Sequence, residues 1–344
     1  MSASVTPDWP GLLANLRREG TPNRVYYFEH GIAENVLAEI ARRYELWTDI
    51  DPDQADADTR RRLAVHRCLG HELFRIFPPG GRVVAPKREG AWAEAGRGPV
   101  ADWEGFEQFD WPDPADADLS CMEQVEALAP ENMRAFHVMD VWEVVRELMG
   151  FERLCFALYE DPDLVRAVFD RVGGFVERVT ATLCDFDFFG AVYIGDDLGH
   201  KSGPMIAPAQ LREFVLPWHR RLARLTHDKG KLFILHSCGD MYDLIDDYID
   251  DVGIDAKHSF EDNVLPVTAA KERYGHRLSL LGGIDVDLLA RATPAEIRRH
   301  TRAVLETCHA GGGYCLGSGN WVTAYIPTDN YLAMLEAARQ WSRA

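Results

Sequence analysis

Three side chains in the sequence have the types and spacing to bind a metal: His236 and Cys238, one residue apart, and Cys315 far downstream. Each group ends a short apolar run, LFILH or GYCL, and glycine follows within a few residues. Residues two apart on a strand face the same way, so His236 and Cys238 can grip one ion while Ser237 faces away. Thiolate with imidazole suits Zn²⁺, and three protein ligands leave a fourth position for water or substrate, the arrangement of catalytic zinc. Structural zinc draws instead on close cysteine pairs, and the sequence contains no CxxC. The same residues also read as two buried thiols and a core histidine, because free cysteine is among the most buried residue types. Residue types alone leave both readings open.

Such a set needs strands to hold it, and the chain offers eight short apolar runs. They are 24–29 (RVYYFE), 134–139 (RAFHVM), 154–159 (LCFALY), 191–194 (AVYI), 232–236 (LFILH), 254–259 (IDAKHS), 278–281 (LSLL) and 313–316 (GYCL). Helical patterns separate most of them. Asp161-Pro162 supplies an N-cap and first-turn proline to a run with Leu164, Val165, Val168, Val172, Phe175, Val176 and Val179 at helical spacing. Thr293-Pro294-Ala295-Glu296 is a capping box, followed on one face by Ile297, Val304, Leu305 and Cys308, with Gly311 as the stop. Pro208 opens a third helix. Cys308 and Cys155 are expected to be core.

Strand and helix in repeated alternation imply a parallel sheet. Polar residues then fall after successive strands: Asp196 and Asp197, His236 and Cys238, Glu261 and Asp262, Asp285, and Cys315 with Asn320. Reactive side chains after the carboxyl ends of five strands mark the catalytic face of a (β/α)₈ barrel. An open doubly wound sheet gathers its site at one switch point. The expected fold is therefore α/β, a (β/α)₈ TIM barrel forming a single domain over 1–344, with 1–23 as an N-terminal extension. Residues 81–119, rich in Gly, Pro, Asp and Trp, hold neither period for long. They are expected to form an aromatic-rich loop or hairpin inserted over the barrel mouth, or a surface loop packing its own aromatics.

A net charge of −18 disfavours nucleic acid and anionic membrane surfaces as partners. No apolar run approaches the roughly 20 residues of a membrane span, and no opening stretch reads as a leader. Seven cysteines without paired spacing fit a reducing cytoplasm.

Four stretches together resemble the uroporphyrinogen decarboxylase superfamily: 195–222 (GDDLGHKSGPMIAPAQLREFVLPWHRRL), 235–255 (LHSCGDMYDLIDDYIDDVGID), 280–320 (LLGGIDVDLLARATPAEIRRHTRAVLETCHAGGGYCLGSGN) and 327–341 (PTDNYLAMLEAARQW). Within it the chain is more similar to the zinc-dependent cobalamin (corrinoid) methyltransferases than to the decarboxylases. The resemblance runs through roughly the last two thirds of the chain. The decarboxylases carry an arginine-rich segment after the first strand. Here that strand runs into Glu29-His30-Gly31-Ile32-Ala33, with no arginine until Arg42.

The methyltransferase branch implies a (β/α)₈ barrel, Zn²⁺ on His236, Cys238 and Cys315, and a corrinoid, free or on a carrier protein, as methyl carrier. It implies activation of a small thiol for attack on a cobalt-bound methyl group, or the reverse transfer, and a homodimer. Glu261 is either a displaceable fourth ligand or a helix-start acid. Asp196 and Asp197 are candidates to orient His236 or contact substrate, with helix capping the competing role for one of them. Gly319 and Asn320 sit beside Cys315 where backbone can approach a ligand. Tyr193, His200, His137 and Glu29 are substrate-binding candidates near strand ends, and so is His258. Lys201 and Lys257 are the only cations expected at strand exits. Two alternatives stay open: a porphyrinogen decarboxylase-like lyase, and a barrel that binds a corrinoid or tetrapyrrole without catalysis.

Overall fold

The computed structural model describes residues 6–83 and 96–342. Eight parallel strands follow one another along the chain: β1 Tyr26–Tyr27, β2 Leu73–Arg75, β3 Arg134–Met139, β4 Phe189–Gly195, β5 Leu232–His236, β6 Ala256–His258, β7 Ser279–Leu281 and β8 Tyr314–Leu316. Helices connect them, so the fold class is α/β, the (β/α)₈ TIM barrel. Among the described residues no helix is long and apolar enough to cross a membrane.

The chain divides into two compact units. The first comprises residues 1–76, 122–136 and 255–344. Its ladders pair β1 with β8 (Tyr26 opposite Cys315), β8 with β7 (Cys315 opposite Leu281), β7 with β6 (Leu280 opposite Lys257) and β2 with the start of β3. Phe28 packs against Phe136 and His258, with ring centroids 5.4 and 5.5 Å away. The helix Pro294–Cys308 begins with the expected capping box, and it buries Ile297, Thr301, Val304, Leu305 and Cys308.

The second unit comprises 77–121 and 137–254. Here β4 and β5 run parallel over five residue pairs, from Ala191 opposite Leu232 to Gly195 opposite His236. The helix Pro162–Cys184 starts as expected, with the Asp161 carboxylate accepting the Leu164 N–H at 3.2 Å. Pro208 opens a short helix, and a π turn over Leu211–Val215 leads into the helix Leu216–Asp228. Pro217 has no amide hydrogen to give back to that turn, and a wider turn relieves the clash of its ring with the preceding carbonyls.

Two strand expectations are corrected. Residues 154–159 are helical, within Phe151–Glu160. Leu154, Ala157 and Leu158 are buried while Phe156 and Tyr159 are exposed, which is helical spacing hidden in a short apolar run. Cys155 therefore lies on a helix and is only half-buried. The strand absent from the expectation is β2, three residues long and ending in arginine, too short and too charged to stand out.

Of the 81–119 segment, Trp92 and its neighbours lie outside the described residues. The described part contains the helix Trp103–Gln108, and Phe106 and Trp111 pack together at 5.4 Å between ring centroids. Its 98–100 stretch bonds through Gly98 N–H and Val100 N–H to the carbonyls of Met149 and Leu148, at the carboxyl end of the helix Trp142–Met149.

Thr293→Ala removes the hydroxyl that accepts the Glu296 N–H and should lower stability by about 1 kcal/mol. A urea titration would register this as a lower midpoint with an unchanged slope.

Candidate metal centre

The register of β4 and β5 decides which residues meet. With Gly195 opposite His236, the chain leaves both strands side by side, so Asp196-Asp197 and Ser237-Cys238 emerge as neighbours. The Cys238 N–H donates to Asp197 Oδ1 at 2.8 Å, and the Leu198 N–H donates to Ser237 Oγ at 2.9 Å. Ser237 thus faces away from Cys238, as the strand alternation requires, and stitches the two exits together. Gly239 takes the next turn at φ +70°, where a side chain would be strained and would press on the Gly199 carbonyl.

Asp197, His236 and Cys238 each offer one donor atom, all within 4.8 Å of one another. His236 Nε2 lies 3.4 Å from Cys238 Sγ and 3.5 Å from Asp197 Oδ1. Zinc bonds of about 2.0–2.3 Å at a tetrahedral angle separate neighbouring donors by roughly 3.4–3.6 Å. The two separations from His236 Nε2 lie in that range, and the three donors together form a group able to hold one metal ion. His236 is buried while Asp197 and Cys238 are half-buried, so one side of the group faces outward. Tyr193, fully buried on β4, packs its ring 5.7 Å from that of His236.

The adjacent aspartates have separate duties. Asp196 is wholly buried and accepts the N–H groups of Val141 and Glu143, which caps the helix Trp142–Met149. Its other oxygen lies 2.7 Å from His219 Nε2. The capping role belongs to Asp196, and Asp197 keeps its carboxylate beside His236.

In the same unit His200 is exposed on the short hairpin of Gly199–His200 with Gly203–Pro204, bridged to Asp240. His137 is buried on β3, close to Gly81.

The remaining candidates lie in the other unit. Cys315 is buried on β8, and the Asn15 side-chain amide donates to its sulfur at 3.6 Å. Burial pushes its thiol well above the ordinary range, helped by the Glu72 charge and opposed by the Asn15 hydrogen bond. A buried thiol of this kind ionises only beside a cation. Glu29, just past β1, is buried and accepts the Ser318 N–H at 2.9 Å and the Ser318 hydroxyl at 2.5 Å. Burial raises Glu29 to about 8, although both Ser318 bonds pull it down.

Gly317 and Gly319 lie so close to the Phe28 and Phe260 carbonyls that a side chain at either would collide. At both glycines the missing side chain admits the protein's own backbone. Glu261 sits in a turn well before the helix Val267–Tyr274, and its carbonyl accepts the Val264 and Leu265 N–H groups. With Asp262, Asp285, Gly319, Asn320 and Trp321 it lines a cleft of about 920 Å³.

One cation at a strand exit is missing from the sequence expectation. Arg75 ends β2, with Nη1 3.4 Å from His30 Nε2 and its guanidinium 5.4 Å from the Trp321 ring centroid. The signal was present as an arginine closing the run LFR, but only the ladder with β3 shows that run to be a strand.

The family model described as "Uroporphyrinogen decarboxylase (URO-D)" matches residues 126–341. A methylated-thiol–coenzyme M methyltransferase of Methanosarcina mazei is 30% identical over 200 residues, covering 57% of this chain and 50% of that protein. A uroporphyrinogen decarboxylase of Nitrosospira multiformis is 23% identical over 206 residues, 56% of this chain and 51% of the relative. One from Paraburkholderia phytofirmans is 32% identical over 98 residues, 28% of this chain and 26% of the relative. The chain thus spans about half the length, or less, of these curated relatives. Among solved structures, a methyltransferase from Methanosarcina mazei aligns with TM-score 0.71 at 15% identity, covering 97% of this chain and 98% of that one, which shows the shared fold.

Two outcomes follow from the site itself. Between the ordinary carboxyl value of 4.5 and about 8, folded Glu29 holds a proton that the unfolded chain releases, so its contribution to stability falls as pH rises through that window. Unfolding midpoints of Glu29→Gln measured from pH 5 to 8 should lack that slope. Gly239→Ala should displace the turn behind Cys238, and divalent-metal titration of the folded variant should show weakened binding.

Proposed function

The chain belongs to the uroporphyrinogen decarboxylase family, and from that membership we propose that it is a zinc-dependent methyltransferase moving a methyl group between a corrinoid and a small thiol. The observation that carries the reading is the donor set of Asp197, His236 and Cys238, whose ligand atoms all lie within 4.8 Å of one another. The methylated-thiol methyltransferase relative, which matches a stretch of 200 residues, supports the same choice over a lyase.

His236 and Cys238 would hold the metal from the end of β5 and Asp197 from the end of β4. Cys315 is proposed as a second thiolate, so that the oxygen ligand, Asp197 or in its stead Glu261, is the displaceable one whose position the thiol takes. Zinc, when bound, supplies a Lewis acid that keeps a thiol sulfur as thiolate at neutral pH. The protein's part is orientation. Tyr193 backs the His236 ring, and the Cys238 N–H fixes the Asp197 carboxylate. The outward side of the group is left for substrate. With a methylated corrinoid as the methyl donor, an S–C bond would form as the donor's Co–C bond breaks, its electron pair staying with cobalt and the thiol proton passing to solvent. Tyr193, His200, Asn320, Gly319, Glu29 and His137 are proposed substrate contacts, and a corrinoid protein the proposed partner.

Metal analysis of the purified chain should find about one zinc per chain. His236→Ala and Cys238→Ala should lose it, with methyl transfer from methylcobalamin to a panel of small thiols falling more than about 100-fold. Loss of a ligand's hydrogen-bond partner alone costs roughly 10–100-fold. A full complement of zinc in Cys315→Ala would confine the ligands to the other residues. Zinc below about half an equivalent, unrestored by added metal, would refute the reading, and release of CO₂ from a porphyrinogen would replace it with the lyase.

A further inference from the structure

The proposed metal centre has a buried polar assembly directly behind it that its ligand list does not include. Asp196, His219 and Tyr248 all have 0% exposure. Asp196 Oδ1 accepts the N–H groups of Val141 and Glu143, each at 3.0 Å, and Oδ2 lies 3.1 Å from the Val141 nitrogen. His219 Nε2 is 2.7 Å from Asp196 Oδ2, and its Nδ1 is 2.7 Å from the Tyr248 hydroxyl. A carboxylate can only accept, so Nε2 carries a proton and donates; in the neutral ring, Nδ1 then accepts from Tyr248. One further bond completes the set: the Trp142 indole N–H donates to the Asp197 carbonyl at 3.0 Å.

We propose that Asp196, His219, Tyr248 and Trp142 are positioning residues that aim the Asp197 carboxylate at the metal. Together they leave Asp197 few freedoms. Asp196 is anchored through its side chain, Asp197 through its carbonyl, and Leu198 through its N–H on Ser237 Oγ. The backbone is thus held before, at and after Asp197. Neighbouring side chains leave an extended chain on opposite sides, so sending Asp196 inward sends Asp197 toward His236 and Cys238. The Cys238 N–H then fixes the remaining side-chain rotation. Burying a carboxylate, an imidazole and a phenol costs more than apolar packing of the same volume, and a carboxylate aimed in one direction is what that cost maintains here.

This inference rests on the metal reading, so the test uses the whole chain and reads metal rather than turnover. Zinc affinity is measured by competition with a chromophoric chelator, and donor geometry by the visible spectrum of the Co²⁺-loaded protein. Asp196→Asn and Trp142→Phe should each weaken zinc 10–100-fold and shift the Co²⁺ bands, and Tyr248→Phe should do so less than about tenfold. Leu222→Ala, buried on the same helix as His219 but outside the network, should leave affinity within about twofold while lowering the unfolding midpoint. If Asp196→Asn does not fold, Trp142→Phe and Tyr248→Phe decide. Unchanged affinity and spectra in the folded variants, or equal weakening in Leu222→Ala, overturns the network alone. A parent protein that takes up neither Zn²⁺ nor Co²⁺ overturns the metal reading and this inference together.

Discussion

The candidate centre depends on one pairing, the parallel register that sets Gly195 opposite His236. In a parallel ladder both chains leave the sheet at the same end, so whatever follows each strand is delivered to a common place. A slip of one residue would turn Cys238 and His236 to the opposite face together. The exits are then tied by two short bonds, Cys238 N–H to Asp197 and Leu198 N–H to Ser237. Those bonds turn adjacency into a donor set with the spacing of a single ion.

Strict alternation beyond a strand end makes adjacent residues do opposite work. Asp196 enters the interior and is taken up by helix capping and by His219, and the Asp197 carboxylate stays beside His236. Ser237 and Cys238 divide in the same way. In the other unit, the loop after β8 shows what a tight backbone can demand. Gly317 and Gly319 let Ser318 reach Glu29, and the carboxyl is buried deeply enough to favour its proton near neutrality. Conservation of volume leaves no room there for a side chain on either glycine.

Much of this was legible in the residues. Long runs with caps declared themselves: Asp161-Pro162 and Thr293-Pro294-Ala295-Glu296 begin helices in the structure as their chemistry requires. The His-x-Cys pair also sits at a strand end, as the LFILH run indicates. The failures share a cause. LCFALY and LFR are short, and over so few residues period 2 and period 3.6 are hard to tell apart. Only packing separated them, by exposing Phe156 and Tyr159 and by pairing Leu73–Arg75 with β3.

The sequence by itself determined the alternating strand and helix pattern of most of the chain, the chemical types at most strand exits, and hence the family and its (β/α)₈ fold. These are local properties, set by propensity, periodicity and side-chain chemistry within a few residues. The tertiary structure decided which of two adjacent aspartates serves the candidate centre, and that Arg75 stands at a strand exit. It also decided that Gly317 and Gly319 make room for the protein's own backbone. Those choices follow from register and from competition among hydrogen-bond donors distant in sequence, such as Val141, Glu143 and His219 converging on Asp196. No single stretch of chain contains both partners of such bonds, so only the folded molecule could assign them.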